Sequence, residues 1–174
     1  DEISSKVRRQ YEDSPYPRWI NLGLIKEPIY IRELVDRCRL KLTSPTVKKL
    51  QAPSILIAGC GTGLHSLETA ARFKNSKVSA IDLSLSSLAY AKRKTKELGM
   101  RNIEYLQADL LDLAKLDAKF DVIESVGVLH HIRDPLEGWK VLTECLKPGG
   151  LMKIGLYSEL ARDTVVEFRK NINP

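Results

Sequence analysis

The feature that most constrains this chain is a glycine-rich turn directly after a short apolar stretch. Residues 54–58 read Ser-Ile-Leu-Ile-Ala, and the turn Gly59-Cys-Gly-Thr-Gly63 follows them. An apolar run of this length, ended by clustered glycines, predicts a buried strand. Glycines also let the backbone approach a ligand closely, because no Cβ intervenes. We therefore predict a buried strand whose carboxyl end carries a ligand-binding loop.

A second apolar strand is predicted over residues 77–81 and is followed by the carboxylate of Asp82. An open α/β sheet binds ligands at the carboxyl ends of its strands, so the glycine turn and Asp82 would lie side by side over one cleft. A carboxylate at that place can accept hydrogen bonds from two vicinal ribose hydroxyls. The pair predicts a nucleoside-bearing cofactor.

The spacing of the glycines distinguishes dinucleotides such as NAD from other nucleoside-bearing cofactors. The dinucleotide fingerprint is G-x-G-x-x-G, in which the third glycine lies inside the helix. Here the third glycine, Gly63, comes one residue early, and Leu64 occupies the fingerprint position. This spacing disfavours a nicotinamide-dependent oxidoreductase. The alternative is a glycine-rich turn that binds no ligand.

The rest of the chain alternates apolar strands with stretches of helical periodicity, which is typical of a doubly wound α/β fold. We predict a mainly parallel sheet with strand order 3-2-1-4-5. Ser84 and Asp134 are the expected helix N-caps, and the Pro- and aromatic-rich segment over residues 11–19 is expected to be an ordered loop. The predicted strands span residues 54–58, 77–81, 102–107, 120–126 and 151–156, and the predicted helices span residues 29–42, 63–73, 84–98, 134–146 and 158–170.

Composition excludes several classes of protein. The 174 residues can bury one core, and no apolar run approaches the roughly 20 residues of a membrane span. The net charge is +6, but the basic residues lack interleaved aromatics, so nucleic-acid binding is disfavoured. Cys38, Cys60 and Cys145 have neither metal-ligand nor disulfide spacing, which predicts reduced thiols in the cytoplasm. Because the first residue is Asp1 rather than Met, we expect a segment of a longer polypeptide.

The G-x-G-x-G turn followed by an acid resembles motifs I and II of the class I S-adenosylmethionine-dependent methyltransferases. Three later segments carry the same resemblance, which spans residues 54–157: Gln107-Ala-Asp-Leu110, Phe120 to Ile132, and Leu146 to Met152. The resemblance implies a Rossmann-like fold, S-adenosylmethionine as cofactor and methyl transfer as the activity. It divides the chain into an N-terminal loop and helical segment, 1–53, and a cofactor-binding domain, 54–174.

The same resemblance implies the residues of the cofactor site. Asp82 would accept from the ribose hydroxyls, Leu83 would contact the adenine, and Asp109 would accept from the adenine amino group. The alternative for both acids is an exposed loop carboxylate. The full set of expected cofactor residues is Gly59, Cys60, Gly61, Gly63, Asp82, Leu83, Asp109, Leu110 and Ser125.

Two histidines and an aromatic segment are candidates for the acceptor side of the site. His130 and His131 follow the fourth strand, near the expected position of the transferred methyl, where an imidazole could take a proton, and of the two His130 is the favoured candidate. Alternatively, one of them caps the next helix or packs under the cofactor. The residues expected to close over the cofactor, or merely to cover the sheet, are Tyr11, Tyr16, Arg18 and Trp19.

Motifs that this sequence lacks exclude some classes of methyl acceptor. Enzymes that methylate exocyclic amines of bases usually carry Asn/Asp-Pro-Pro-Tyr/Phe after the fourth strand, whereas residues 124–127 read Glu-Ser-Val-Gly. No Pro-Cys pair suggests a cytosine C5 nucleophile. We therefore expect a small-molecule or protein acceptor. The alternative is a non-catalytic cofactor-binding or scaffolding module of a larger protein.

The two ends of the chain suggest its wider context. Residues 11–19 and 155–162 resemble bacterial methyltransferase domains found beside tetratricopeptide repeats, although no repeat is present here. Class I enzymes usually continue into two further strands, so with an end at Pro174 we expect the C-terminal strands of the full fold to be missing. The fifth strand would then have an open edge, which a second copy could cover as a homodimer.

Overall fold

The computed structural model describes residues 2–115 and 117–158, which form five helices, five strands and three short 3₁₀ turns. The helices are α1 (Glu2–Asp13), α2 (Ile31–Arg37), α3 (Leu64–Arg72), α4 (Leu85–Glu97) and α5 (Pro135–Glu144). The strands are β1 (Ser54–Ala58), β2 (Lys77–Asp82), β3 (Ile103–Gln107), β4 (Phe120–Val126) and β5 (Leu146–Gly155). The 3₁₀ turns are Thr46–Lys49, Leu110–Lys115 and Leu129–His131.

The five strands form one parallel sheet in the order β3-β2-β1-β4-β5, which confirms the predicted order. In the centre of the sheet, Ile55 of β1 is in register with Val78 of β2 and with Val122 of β4. Because all the strands are parallel, their carboxyl ends meet at one edge of the sheet. The loops that carry the candidate site therefore lie side by side.

Hydrophobic cores lie on both faces of the sheet. On one face, Ile55 and Ile57 of β1 pack with the α2 residues Ile31 and Val35 and with residues of α3 and α4. On the other face, Leu56 and Ala58 belong to a cluster that includes α5 and the 3₁₀ turns after β3 and β4. A strand buried on both faces has no polar side to show, which explains the unbroken apolar sequence of β1.

The helix caps follow the sequence prediction. The hydroxyl of Ser84 accepts a hydrogen bond from the backbone N–H of Ser87 at 3.0 Å, and the carboxylate of Asp134 accepts from Leu136 N–H at 2.9 Å. Each cap satisfies a backbone donor that the first turn of a helix leaves without a partner. Both N-cap predictions are confirmed.

The N-terminal region differs from the prediction. Residues 11–13, expected in a loop, form the last turn of α1, whose sequence is too polar to predict a buried helix face. The helix predicted over residues 29–42 is shorter: α2 spans Ile31–Arg37 with Cys38 as its C-cap, and Arg39 leaves the helical conformation with a φ of 51°. The helix predicted over 158–170 lies outside the described residues, apart from Ser158.

β5 begins earlier than predicted. Leu146 pairs with Phe120 and Leu151 pairs with Val122, so residues 147–150, expected as a turn before the strand, form an irregularity of the strand opposite Asp121. The two backbones approach closely there, because a Cβ at Gly150 would lie 2.8 Å from the carbonyl oxygen of Asp121. Within the described ranges, none of the helices is long and apolar enough to cross a membrane.

Candidate functional site

A cleft of about 430 Å³ lies at the carboxyl edge of the sheet, and residues at the ends of all five strands contribute to its lining. Its volume is within the range of roughly 300–1,000 Å³ that is typical of small-molecule sites. The cleft brings together ten of the residues expected from the sequence: Tyr11, Tyr16, Gly59, Cys60, Gly61, Asp82, Leu83, Asp109, Leu110 and His131.

The glycine turn lies between the cleft and the N-terminal segment. Gly61 has a φ of 51°, and a Cβ there would lie 2.5 Å from the carbonyl oxygen of Tyr16. The next residue, Thr62, donates its N–H to the Tyr16 carbonyl at 3.3 Å and its hydroxyl to the Pro17 carbonyl at 2.5 Å. The absence of a side chain at Gly61 therefore lets the N-terminal segment pack directly on the turn.

Gly63 has a different position from the other two glycines. It lies outside the cleft lining and begins α3 as the N-cap residue, with a φ of 86°. A Cβ at Gly63 would lie 2.6 Å from the Cβ of Ala91 in α4. The close approach at this glycine is thus a contact between α3 and α4.

Asp82 connects two loops of the cleft. Its Oδ2 accepts a hydrogen bond from Gly61 N–H at 2.7 Å, and its Oδ1 accepts from Ser84 N–H at 2.9 Å. Burial of the carboxyl group raises the pKa of Asp82, and the backbone hydrogen bonds from Ser84 and Gly61 partly oppose that rise. Each carboxylate oxygen has a second lone pair, so Asp82 can accept further hydrogen bonds from a ligand.

Asp109 lies at the end of β3, beside the end of β2. Its Oδ1 accepts from Leu111 N–H at 3.0 Å and so starts the 3₁₀ turn Leu110–Lys115. The N–H of Ala108 donates to the backbone carbonyl of Asp82 at 3.1 Å, which ties the two strand ends together. Asp109 and Asp82 thus line neighbouring parts of one cleft.

The two candidate histidines occupy different places. His131 lines the cleft, its Nε2 lies 3.4 Å from the hydroxyl oxygen of Tyr11, and burial lowers the pKa of His131. His130 lies outside the lining, with its ring centroid 4.2 Å from the rings of both His131 and Tyr157. Of the pair, it is thus His131, and not the favoured His130, that lines the cleft.

The four residues expected to close over the cofactor also occupy different places. Tyr11 and Tyr16 line the cleft, whereas Arg18 and Trp19 do not. Trp19 is buried: its indole N–H donates to the carbonyl of Thr62 at 3.2 Å, and its carbonyl accepts from the Tyr90 hydroxyl. Trp19 therefore anchors the N-terminal segment to the body of the fold. Ser125 is buried in β4 and likewise lies outside the lining.

A polar cluster that was not predicted from the sequence lies at the wall of the cleft. Glu124 of β4 is 3% exposed, and its Oε2 accepts hydrogen bonds from His65 Nε2 and, at 3.1 Å, from the Thr69 hydroxyl. The ammonium of Lys153 lies 3.8 Å from the same oxygen. Burial raises the pKa of Glu124, but the hydrogen bond and charge of His65, with Lys153 and Thr69, lower it overall.

A signal for this cluster is present in the sequence. Glu124 interrupts an apolar strand, and a buried carboxylate requires a partner. The sequence does not show which residue supplies that partner. His65 and Lys153 both line the cleft, so the cluster belongs to the site.

Comparison with known proteins identifies the relatives of this arrangement. A family model described as "Methyltransferase domain" matches residues 55–150, more than half of the chain. An uncharacterised protein of Synechococcus is 38% identical over 125 residues, which cover 71% of this chain and 30% of that protein. A ubiquinone biosynthesis O-methyltransferase of Leptothrix cholodnii is 32% identical over 118 residues, 67% of this chain and 49% of the enzyme. The chain thus spans half or less of the length of these two relatives.

A solved structure has the same fold. PKMT2 from Rickettsia typhi, in complex with AdoHcy, superimposes with a TM-score of 0.60 and 25% identity, covering 79% of this chain and 26% of PKMT2.

Proposed function

Because the chain belongs to the methyltransferase domain family, we propose that it binds S-adenosylmethionine and transfers the methyl group to a small molecule or a protein. The observation that carries this proposal is the order of groups along the cleft. Asp109 follows β3, Asp82 ends β2 and the glycine turn follows β1, and these three strands are neighbours in the sheet.

This order fits the parts of the cofactor. Asp109 would accept from the adenine amino group, and Asp82 would accept from the ribose hydroxyls. The bare backbone of Gly59 and Gly61 would then admit the part of the ligand beyond the ribose. Cys60, Leu83 and Leu110 line the same cleft and would supply apolar surface to the ligand.

The chemistry requires little of the protein beyond positioning. The cofactor supplies an activated methyl group, which an acceptor atom takes in an in-line displacement. The chain would orient the two reactants and exclude water. Tyr11 and Tyr16, on the segment that packs over the glycine turn, would form that cover. His131 is the candidate among the two histidines to meet the acceptor.

We extend the proposal to the organisation of the chain. Residues 54–174 would form the cofactor-binding unit, and residues 1–53 would cover it. A cytoplasmic location, a tetratricopeptide-repeat region in the parent protein and a second copy at the β5 edge stay predictions.

Two measurements test the proposal. Calorimetric titration with S-adenosylhomocysteine and with NAD, in parallel, should give heat of binding for the first ligand only. Incubation with methyl-labelled S-adenosylmethionine and a bacterial extract, split into small-molecule and protein fractions, should label one fraction. Heat with NAD alone would contradict the proposal. Binding of S-adenosylhomocysteine without any transfer would favour the non-catalytic module instead.

A further inference from the structure

We propose that His65 is the general base of this site, that Glu124 is its positioning residue, and that the methyl acceptor is an acidic hydroxyl compound such as a phenol or an enol. This inference rests on the proposed function, because it assigns the proton that methyl transfer to oxygen must release. It concerns residues on α3 and β4, separate from the two histidines that follow β4.

The hydrogen bond to Glu124 determines which nitrogen of His65 can act. His65 and Thr69 are four residues apart on α3 and therefore face the same way, toward Glu124. A carboxylate can only accept, so His65 must donate its Nε2–H. In the neutral ring the lone pair then lies on Nδ1, to which no described residue hydrogen bonds.

The exposure of the two groups suits these roles. The side chain of His65 is 22% exposed and lines the cleft, whereas that of Glu124 is 4% exposed. A buried carboxylate that holds one ring nitrogen stabilises the imidazolium that forms when the other nitrogen takes a proton. Glu124 therefore acts through His65 and need not touch the acceptor.

The strand order puts this pair at the reactive end of the ligand. The strands lie in the order β3-β2-β1-β4-β5, so with the adenine near β3 and the ribose near β2 the methyl group would lie beyond β1, toward β4 and β5. Glu124 is in β4, and Lys153 is its register partner in β5. The acceptor must approach from this side of the cleft.

Lys153 indicates the chemical class of the acceptor. Lys153 lines the cleft, and its ammonium is 3.8 Å from Glu124 Oε2. A cation there stabilises the negative charge that develops on a deprotonating oxygen, and it repels a protonated amine. An imidazole base also matches the weak acidity of phenols and enols better than that of ordinary alcohols.

The acceptor O–H bond breaks and its proton passes to Nδ1 of His65, while the oxygen forms a bond to the methyl carbon. The methyl–sulfur bond breaks with its electron pair on sulfur, which gives a methyl ether and a neutral thioether. His65 then returns its proton to solvent.

The first test measures transfer by variants. His65→Ala should lower the transfer rate about 100-fold, with partial rescue by added imidazole, and leave the affinity for S-adenosylhomocysteine within about twofold. Glu124→Gln should lower the rate, and the double variant should be no slower than His65→Ala, because a base and its orienting group act as one unit. Lys48→Ala, which removes an exposed ion pair with Asp36, is the control.

With ¹³C-methyl cofactor and the small-molecule fraction of an extract, the product should be a methoxy compound.

The second test does not depend on turnover. Nitrogen NMR of the imidazole rings should show His65 protonated on Nε2 in the unaltered chain and a mixture of tautomers in Glu124→Gln. An Nδ1-protonated His65, full activity in His65→Ala, or an N-methyl product would each overturn this inference while leaving the proposed function intact. Equal losses of rate and cofactor affinity would make His65 a binding residue. Cofactor binding without transfer by the unaltered chain would overturn both.

Discussion

At the scale of single residues, Asp82 has a structural role and a proposed ligand role at the same place. Its carboxylate holds the glycine turn through Gly61 N–H and the start of α4 through Ser84 N–H. The burial that raises its pKa makes the charged form expensive in the free protein. A ligand that donates further hydrogen bonds would stabilise that charge.

We predict that Asp82→Ala weakens binding of S-adenosylhomocysteine by about 2–3 kcal/mol, roughly 30- to 150-fold, because charge-assisted hydrogen bonds to the ribose are lost. Isothermal calorimetry measures the change. Asp112→Ala is the matched control, since Asp112 is an exposed acid of the 3₁₀ turn whose partner is Lys115. Unchanged affinity in Asp82→Ala would show that the carboxylate does not contact the ribose.

We predict that Gly61→Ala destabilises the fold more than Gly99→Ala does. Both glycines have positive φ, 51° and 68°, which costs about 1–2 kcal/mol for an L-residue. Only at Gly61 would the new Cβ also meet the Tyr16 carbonyl; at Gly99, no described residue other than the adjacent ones lies within 4 Å of the new Cβ. The melting temperature should fall by about 2–4 °C for each kcal/mol. Equal shifts in the two variants would mean that the Tyr16 contact is dispensable.

At the scale of elements, α1 is attached to α4 by a carboxylate cap. Glu12 accepts from Leu85 N–H at 2.7 Å, from Ser86 N–H at 3.0 Å and from the Ser86 hydroxyl at 2.6 Å. A negative charge at the N-terminus of α4 also interacts favourably with the helix dipole. These contacts hold α1, and with it Tyr11, over the cleft.

We predict that Glu12→Gln lowers stability by about 1 kcal/mol at neutral pH, because Gln keeps only part of the cap. The Ser86 hydroxyl above all, with the two backbone donors, lowers the pKa of Glu12 below its ordinary value of 4.5. The stabilisation is therefore complete above 4.5 and disappears as the pH falls through the lowered pKa of the folded state. Urea unfolding from pH 7 to pH 3 should show the two proteins converging.

The control for this prediction is Glu97→Gln, at the other end of α4. Glu97 pairs with exposed Arg93 and with Lys94 within the helix, and among the described residues it has no hydrogen bond or ion pair to α1. Hydrogen exchange in α1 should accelerate in Glu12→Gln and not in Glu97→Gln. The same exchange rate in both variants would show that the cap does not hold α1.

At the scale of the whole molecule, the side of the sheet where the strands end (the carboxyl edge) and the side where they begin (the amino edge) have different roles. The carboxyl edge carries the cleft, whereas at the amino edge Asp121 joins β1, β4 and β5. Its carboxylate accepts from Ser54 N–H at 2.8 Å, from the Ser54 hydroxyl at 2.7 Å and from the Lys147 ammonium at 3.0 Å. Stability and ligand binding should therefore be separable by mutation.

We predict that Asp121→Asn lowers the free energy of unfolding by about 1–3 kcal/mol and leaves the affinity for S-adenosylhomocysteine unchanged. Burial raises the pKa of Asp121, but the Ser54 hydrogen bonds and Lys147 lower it overall, so its contribution is lost only as the pH falls below the ordinary range of a carboxyl. Denaturant unfolding and calorimetry measure the two quantities. A matching loss of affinity would mean that the edges are coupled.

Local sequence patterns predicted most of the fold. The bounds of β1 and β4 agree with the prediction, because each strand is a short apolar run between turn residues. The caps Ser84 and Asp134 agree because a cap depends on its own helix. The helical end of α1 was not predictable in this way, since its stabilising contacts, from Glu12 to α4, are more than 70 residues distant.

The sequence by itself determined the glycine turn, the strand-end acids Asp82 and Asp109, and the strand order that lines them up, because these depend on backbone conformation and on parallel winding. Only the tertiary structure decided which side chains share the cleft. It joins His65 to Glu124 across 59 residues, and it separates His131 from His130 and Tyr16 from Trp19. Such choices depend on how helices pack across the sheet, and packing brings together residues that no local pattern relates.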